Sequence, residues 1–249
     1  FSVFLHKKAG MKLWISVVIA VAGLYLLCMT GGGFSVEKGE FIGIIGENGA
    51  GKSTVIKSVM GFLKYEGSIT VDGLPNKSVE AKRLLGYVPE LPALYPNLTV
   101  GEHMEFIARA YRLHGYKEYA AELLERMELT DKTKKFGDEL SKGMQQKLSL
   151  CCALLPRPKV IMMDEPMIGL DPHAIKELKN MSVELRQSGC SLLVSTHMID
   201  SVDMLWDRTL IMKEGKIKAD VKRDELESKQ ESLEELFFAI TENAEEDKK

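Results

Sequence analysis

The sequence is short of cysteine, tryptophan and net charge, and it contains no visible internal repeat. Its four cysteines, Cys28, Cys151, Cys152 and Cys190, show no C-x-x-C spacing. That excludes a disulfide framework and a zinc site, and fits a reducing compartment. Lys+Arg 33 against Asp+Glu 36 leaves −3, so bulk charge provides no affinity for nucleic acid. No A-x-A cleavage pattern follows the early apolar stretch, which argues against a signal peptide. What remains is ordinary globular composition, 45% hydrophobic and 28% charged over 249 residues, the size of one large domain or a domain with an appendage.

One long apolar run stands apart. Leu13 to Met29 reads LWISVVIAVAGLYLLCM without a charge, the lower limit for a membrane-spanning helix of roughly 17–25 residues. Lys7, Lys8 and Lys12 precede it with no acid before residue 35, so this stretch is +3 and the remainder −6. The reading is an atypical N-terminal apolar helix over 1–33, foreign to the domain that follows; a buried core helix is the alternative. The run resembles the last helix of a half-repeat in small drug/metabolite transporters, which makes a chimera a plausible origin.

From residue 34 onward, apolar runs alternate with helical spacing. Glu40–Ile45, Leu84–Val88, Val160–Met163 and Leu192–Thr196 read as buried parallel strands. Ser68–Val71 with the turn Asp72-Gly73 reads as a further strand. Ser53–Met60 reads as a helix stopped by Gly61. Residues 91–154 are mostly helical, opened by a capping box at Thr99-Val100-Gly101-Glu102. A helix is expected over His173–Ser188 with Ile175, Leu178, Met181 and Leu185 inward. Thr209–Ala219 reads as a hairpin around Glu214-Gly215, and 241–249 as a charged tail. The domain is therefore 34–240, with a core of 34–90 and 155–220 and a helical insertion over 91–154. Such alternation points to α/β with a mostly parallel sheet.

Three motifs carry chemistry. Gly46-Glu47-Asn48-Gly49-Ala50-Gly51-Lys52-Ser53, followed by Thr54, fits G-x-x-x-x-G-K-[ST], with a strand before it and a helix after it. Glycines let backbone N–H groups turn to phosphate oxygens, the lysine supplies charge to the β- and γ-phosphates, and the serine offers its hydroxyl to Mg²⁺. Val160–Met163 delivers Asp164 to the end of a strand, where a carboxylate can hold Mg²⁺, and Glu165 can deprotonate an attacking water. Leu140-Ser141-Lys142-Gly143-Met144 can cradle a phosphate at a helix start through Ser141, Gly143 and Met144. Read alone, the last is an ordinary serine cap.

Taken together, these segments resemble the ATP-binding-cassette (ABC) ATPase family over about 35–240. LSKGM is similar to its LSGGQ signature, Ile168-Gly169-Leu170-Asp171 to its D-loop, and His197 after a strand to its switch histidine. GYVPE followed by ALYPNLTV, and the ending SLEELFF, are similar to the ATPase subunits of ABC-2-type exporters. The resemblance implies a P-loop NTPase (RecA-like) parallel-sheet core with an inserted helical subdomain. It also implies that Glu165 and His197 are catalytic, that ATP binds at 46–54 and at Ser141, Gly143 and Met144, and that Ser53, Asp164 and Glu90 hold Mg²⁺. Glu90 stands where the family usually has glutamine. The partners implied are a second copy, meeting head to tail with ATP between, and a polytopic membrane permease at the cytoplasmic face, with no nucleic acid. A soluble ABC ATPase of translation or DNA repair is the alternative; one cassette without long heptad arms argues against it. A kinase would not need LSKGM, IGLD and His197 in order. The apolar helix conflicts with this function, because lysines before it favour an N-inside orientation that would put the cassette outside, away from ATP. It also replaces the family strand bearing the adenine-stacking ring, leaving Tyr25 near that spacing.

Overall fold

The computed structural model describes residues 34–199 and 205–246. The expected apolar helix over 1–33, with Tyr25, lies outside them. Among the described residues no helix is long and apolar enough to cross a membrane.

A six-stranded sheet organises the molecule. Its members are β1 (Phe41–Ile45), β4 (Leu85–Val88), β5 (Val160–Asp164), β6 (Ser191–Thr196), β7 (Arg208–Lys213) and β8 (Lys216–Lys222), in the order β4-β5-β6-β1-β7-β8. All neighbours run parallel except the β7–β8 hairpin. Parallel strands are covered on both faces, and every residue of β1 is buried. β8 instead alternates exposed and half-buried positions, as an edge strand does. A small antiparallel pair, β2 (Thr70–Val71) and β3 (Leu74–Pro75), turns through Asp72-Gly73.

Alternate residues of each strand feed two cores. On one face Ile42, Ile44, Met162 and Leu193 pack with α1 (Lys52–Val59) and α2 (Val79–Leu84). On the other, Phe41, Ile45, Ile161, Met163, Leu192 and Val194 pack with a helical layer. That layer contains α3 (Val100–Tyr111), α4 (Lys117–Arg126), α5 (Lys142–Leu154) and α6 (Pro172–Gln187). Each fully buried Ile of β1 contributes roughly 1.5–3 kcal/mol by leaving water.

Local chemistry sets the helix ends. Thr99 accepts from Glu102 N at 3.2 Å while Glu102 Oε2 accepts from Thr99 N at 2.7 Å, the expected capping box. Asp171 caps α6 ahead of Pro172, whose fixed φ suits the first helical position. Leu178 and Met181 of α6 are buried, whereas Ile175 and Leu185 are half-buried. Two helices follow β8. α7 (Arg223–Lys229) buries Leu226, and α8 (Leu233–Glu246) buries Leu233 and Phe237. The last helix thus enters the stretch that composition marks as tail.

Candidate functional site

The carboxyl ends of β1, β5 and β6 lie side by side, which is where open parallel sheets place ligands. β1 runs into the glycine loop. Gly49 and Gly51 adopt φ of 85° and 103°, conformations that L side chains rarely take. Gly46 is held to glycine by crowding, since a Cβ there would stand 2.5 Å from the Met212 carbonyl oxygen on β7. The tip of the β7–β8 hairpin closes the far side, with Gly215 N donating to Ala50 O at 3.0 Å.

Gly51 is also the cap residue of α1, and no side chain caps that helix. Its first N–H groups are therefore left for an anion, and the helix dipole adds to the attraction. Lys52 is buried and donates from Nζ to the Gly46 carbonyl at 2.7 Å and the Glu47 carbonyl at 3.2 Å. Glu47, Asn48 and Gly49 are exposed at the rim, while Thr54 is half-buried on α1.

The strands bring the acidic pair to this loop. Asp164 stands in register opposite Ser195. The Ser195 hydroxyl donates to Asp164 Oδ1 at 2.6 Å, and the Ser53 hydroxyl donates to the same oxygen at 2.9 Å. Asp164 is 1% exposed. A buried carboxylate beside two hydroxyls is a hard-oxygen donor set, the kind Mg²⁺ prefers, so the residues fit the ion that the sequence implies.

Glu165, the next residue, breaks the strand with φ 48°. A left-handed non-glycine residue costs roughly 1–3 kcal/mol and persists where the surroundings hold it. Here the Ser195 carbonyl and hydroxyl both accept from Glu165 N, at 3.1 and 3.2 Å. The kink directs the carboxylate to the His197 ring and the Lys52 ammonium. Glu165 Oε1 lies 3.0 Å from His197 Nδ1 and 3.5 Å from Lys52 Nζ. Glu165 is buried, while His197 is exposed.

The remaining sequence-predicted residues lie elsewhere. Ser141 caps α5, its hydroxyl accepting from Met144 N at 3.3 Å, and it is exposed. Gly143 abuts the loop before α6, where a Cβ would meet the Gly169 carbonyl oxygen at 2.6 Å. Among the described residues, no hydrogen bond or ion pair joins Ser141, Gly143 or Met144 to Lys52, Asp164 or Glu165. Glu90 is exposed on the loop after β4 and makes no hydrogen bond to Ser53 or Asp164. Its charge reaches the same neighbourhood nonetheless. Burial pushes the Tyr87 phenol up to about 12, and the charges of Asp164 and Glu90 add to that rise.

Two further residues support the site. Ser195 supports both acids but reads as one more strand residue. Gln146, buried on α5, reaches the Pro89 carbonyl at 3.5 Å and so links the signature helix to the start of the Glu90 loop.

Comparison with known proteins gives the same reading. Residues 30–168 match the family described as ABC transporter. The chain is 37% identical over 191 residues to the linearmycin resistance ATP-binding protein LnrL of Bacillus subtilis (strain 168), covering 75% of this chain but 61% of that protein, so it spans less than two thirds of LnrL. It is 34% identical over 217 residues to the ABC-type transporter ATP-binding protein EcsA of the same organism, covering 84% of this chain and 88% of EcsA. Among solved structures, the dimeric post-hydrolysis state of the ATP-binding cassette MJ0796 bound to ADP and Pi superposes with a TM-score of 0.67 at 28% identity, over 76% of this chain and 88% of that one. With the glycine loop, the acidic pair and His197 meeting at the carboxyl end of the sheet, the chain belongs to the ABC transporter family as one of its ATP-binding ATPase subunits.

Proposed function

We propose that this chain hydrolyses Mg²⁺-ATP as a head-to-tail homodimer seated on a polytopic permease at the cytoplasmic face of a membrane, and that it powers export. The observation that carries this reading is the Glu165 carboxylate, kinked toward both His197 and Lys52 beside the phosphate loop.

The α1 N-terminus and the loop N–H groups bind the ATP phosphates, and Lys52 answers their charge. As phosphate draws the ammonium away from Glu165, that carboxylate is released to take a proton from water, with His197 holding it in place. Ser53 and Asp164 would hold Mg²⁺, which supplies charge neutralisation at the phosphates. Among the described residues, Ser141, Gly143 and Met144 make no hydrogen bond or ion pair with this half-site, and they suit the nucleotide of a second copy. Dimeric MJ0796 with ADP and Pi supports that arrangement, and the resistance role named for LnrL supports export.

The test is phosphate release by the full chain with Mg²⁺-ATP, alongside Glu165→Gln. The substitution is expected to keep ATP binding and lower turnover by roughly 10²–10⁴, the usual contribution of a positioned base. It should also accumulate as an ATP-bound dimer. Unchanged turnover would assign the base elsewhere. Purification from membranes without any polytopic companion would remove the permease from the proposal.

A further inference from the structure

Lys147 lies on α5, six residues past Ser141, and its side chain is only 8% exposed. A buried ammonium is costly unless paired. Its Nζ lies 2.8 Å from Asp171 Oδ2 and 3.0 Å from Glu128 Oε2. Asp171 belongs to the loop that follows Glu165, and its other oxygen accepts from Ala174 N at 2.9 Å to cap α6. Glu128 follows α4. One ammonium therefore joins the signature helix, the loop leading into α6 and the end of the helical layer.

A second contact lies nearby and is independent of charge. The space for a Cβ at Gly143 is taken by the Gly169 carbonyl oxygen, so the two segments meet backbone to backbone. Glu128, Asp171 and His173 also offer ligand atoms within 4.8 Å of one another. The Lys147 ammonium already supplies the counter-charge to both carboxylates, which makes the cluster an ion lock rather than a metal site.

We propose that Lys147 is a positioning residue that locks the Ser141–Met144 segment to the Ile168–Asp171 loop, so that both meet the partner's nucleotide as one rigid edge. The proposal rests on the head-to-tail reading above. Without the lock each segment must be ordered separately at closure, a cost that falls on dimer formation and spares ATP binding by the monomer.

The experiment uses the full chain. Lys147→Met is made alone for turnover and in the Glu165→Gln background for ATP-driven dimerisation. ATP affinity of the monomer should stay within about twofold, while dimer affinity falls by at least about tenfold and kcat falls with it. Lys147→Arg should restore most of both. Asp171→Asn keeps a good helix cap but loses the charge; it should reproduce Lys147→Met, and the double variant should be no worse than either single one. In a mixed dimer, the impaired site should be the one whose phosphate loop belongs to the unsubstituted subunit.

Unchanged dimer affinity and turnover in Lys147→Met or in Asp171→Asn would overturn the proposal. So would a loss of monomer ATP affinity that matches the loss of dimerisation, because that marks a purely structural role. If Glu165→Gln itself fails to dimerise with ATP, the head-to-tail reading falls, and this proposal with it.

Discussion

The two segments proposed to form the nucleotide site are built to different standards. The half around Lys52, Asp164 and Glu165 is buried, and each side chain already has hydrogen-bond or ion partners. The half around Ser141, Gly143 and Met144 is exposed or half-buried, and Ser141 serves only its own helix end. The first half is preorganised for phosphate; the second is an edge that waits for a surface. Preorganised charge needs no rearrangement at the moment of reaction. On the proposed head-to-tail arrangement, an open edge lets assembly decide when the reaction occurs. Activity should therefore be lost in different ways from the two halves.

Lys52→Ala should cost more than any change to the open edge. It removes the charge that answers the phosphates, and a loss of roughly 10²–10³ in turnover is expected, as for other fixed charge-stabilising donors, together with weakened nucleotide affinity. Equilibrium binding and phosphate release on folded protein check it; near-wild-type values for both would dissolve the distinction between the halves. Ser141→Arg should lower turnover by at least about tenfold, about 1.4 kcal/mol, with ATP binding by the monomer intact, because bulk and charge then obstruct the open edge. In a mixed dimer, the damage should appear at the partner's phosphate loop. Normal turnover of the homodimeric variant would remove the sandwich.

Ser195→Ala sharpens the comparison from within the buried half. It takes a hydrogen bond from Asp164 and one from the strained Glu165 N–H. About 1–3 kcal/mol of stability should go, read as a melting shift of a few degrees, near 2–4 °C per kcal/mol at about this size. The smallest effect concerns Asp171, whose carboxyl is held below its ordinary value first by the Lys147 hydrogen bond and then by Ala174 N. A lowered folded value means that the contribution is present above the ordinary aspartate value of 3.8 and is lost as pH falls through the lowered one. The melting difference between wild type and Asp171→Asn should thus be full at neutral pH and shrink below about pH 4. A difference that persists into stronger acid would place its origin outside that charge.

Much of this was legible in the residues, for definite reasons. β1, β5 and β6 are covered on both faces, so they read as continuous apolar runs between turn signals, and the motifs at their ends fall at fixed spacing. α5 was harder, because Gln146, Lys147 and Ser149 are buried beside Leu148 and Leu150, leaving no polar stripe to mark a face. α2 is six residues long, too short to establish a period. The helices after β8 were hidden by charge, since Leu226, Leu233 and Phe237 are sparse anchors among acids and lysines. Ser195 and Lys147 had no motif to announce them. Their roles come from register and from burial, which only the folded chain reveals.

The hairpin that closes the phosphate loop has a consequence for how the protein is made. β1 and the glycine loop leave the ribosome early, but Ser53 waits for an aspartate 111 positions later, and Ala50 waits for Gly215, later still. At about 5–20 residues per second, several seconds pass in which the loop exists without its walls. A nascent chain therefore lacks these contacts until β5 and the β7–β8 hairpin arrive. One released before Arg208 would carry the phosphate-loop sequence but leave the apolar β1 edge that β7 covers exposed.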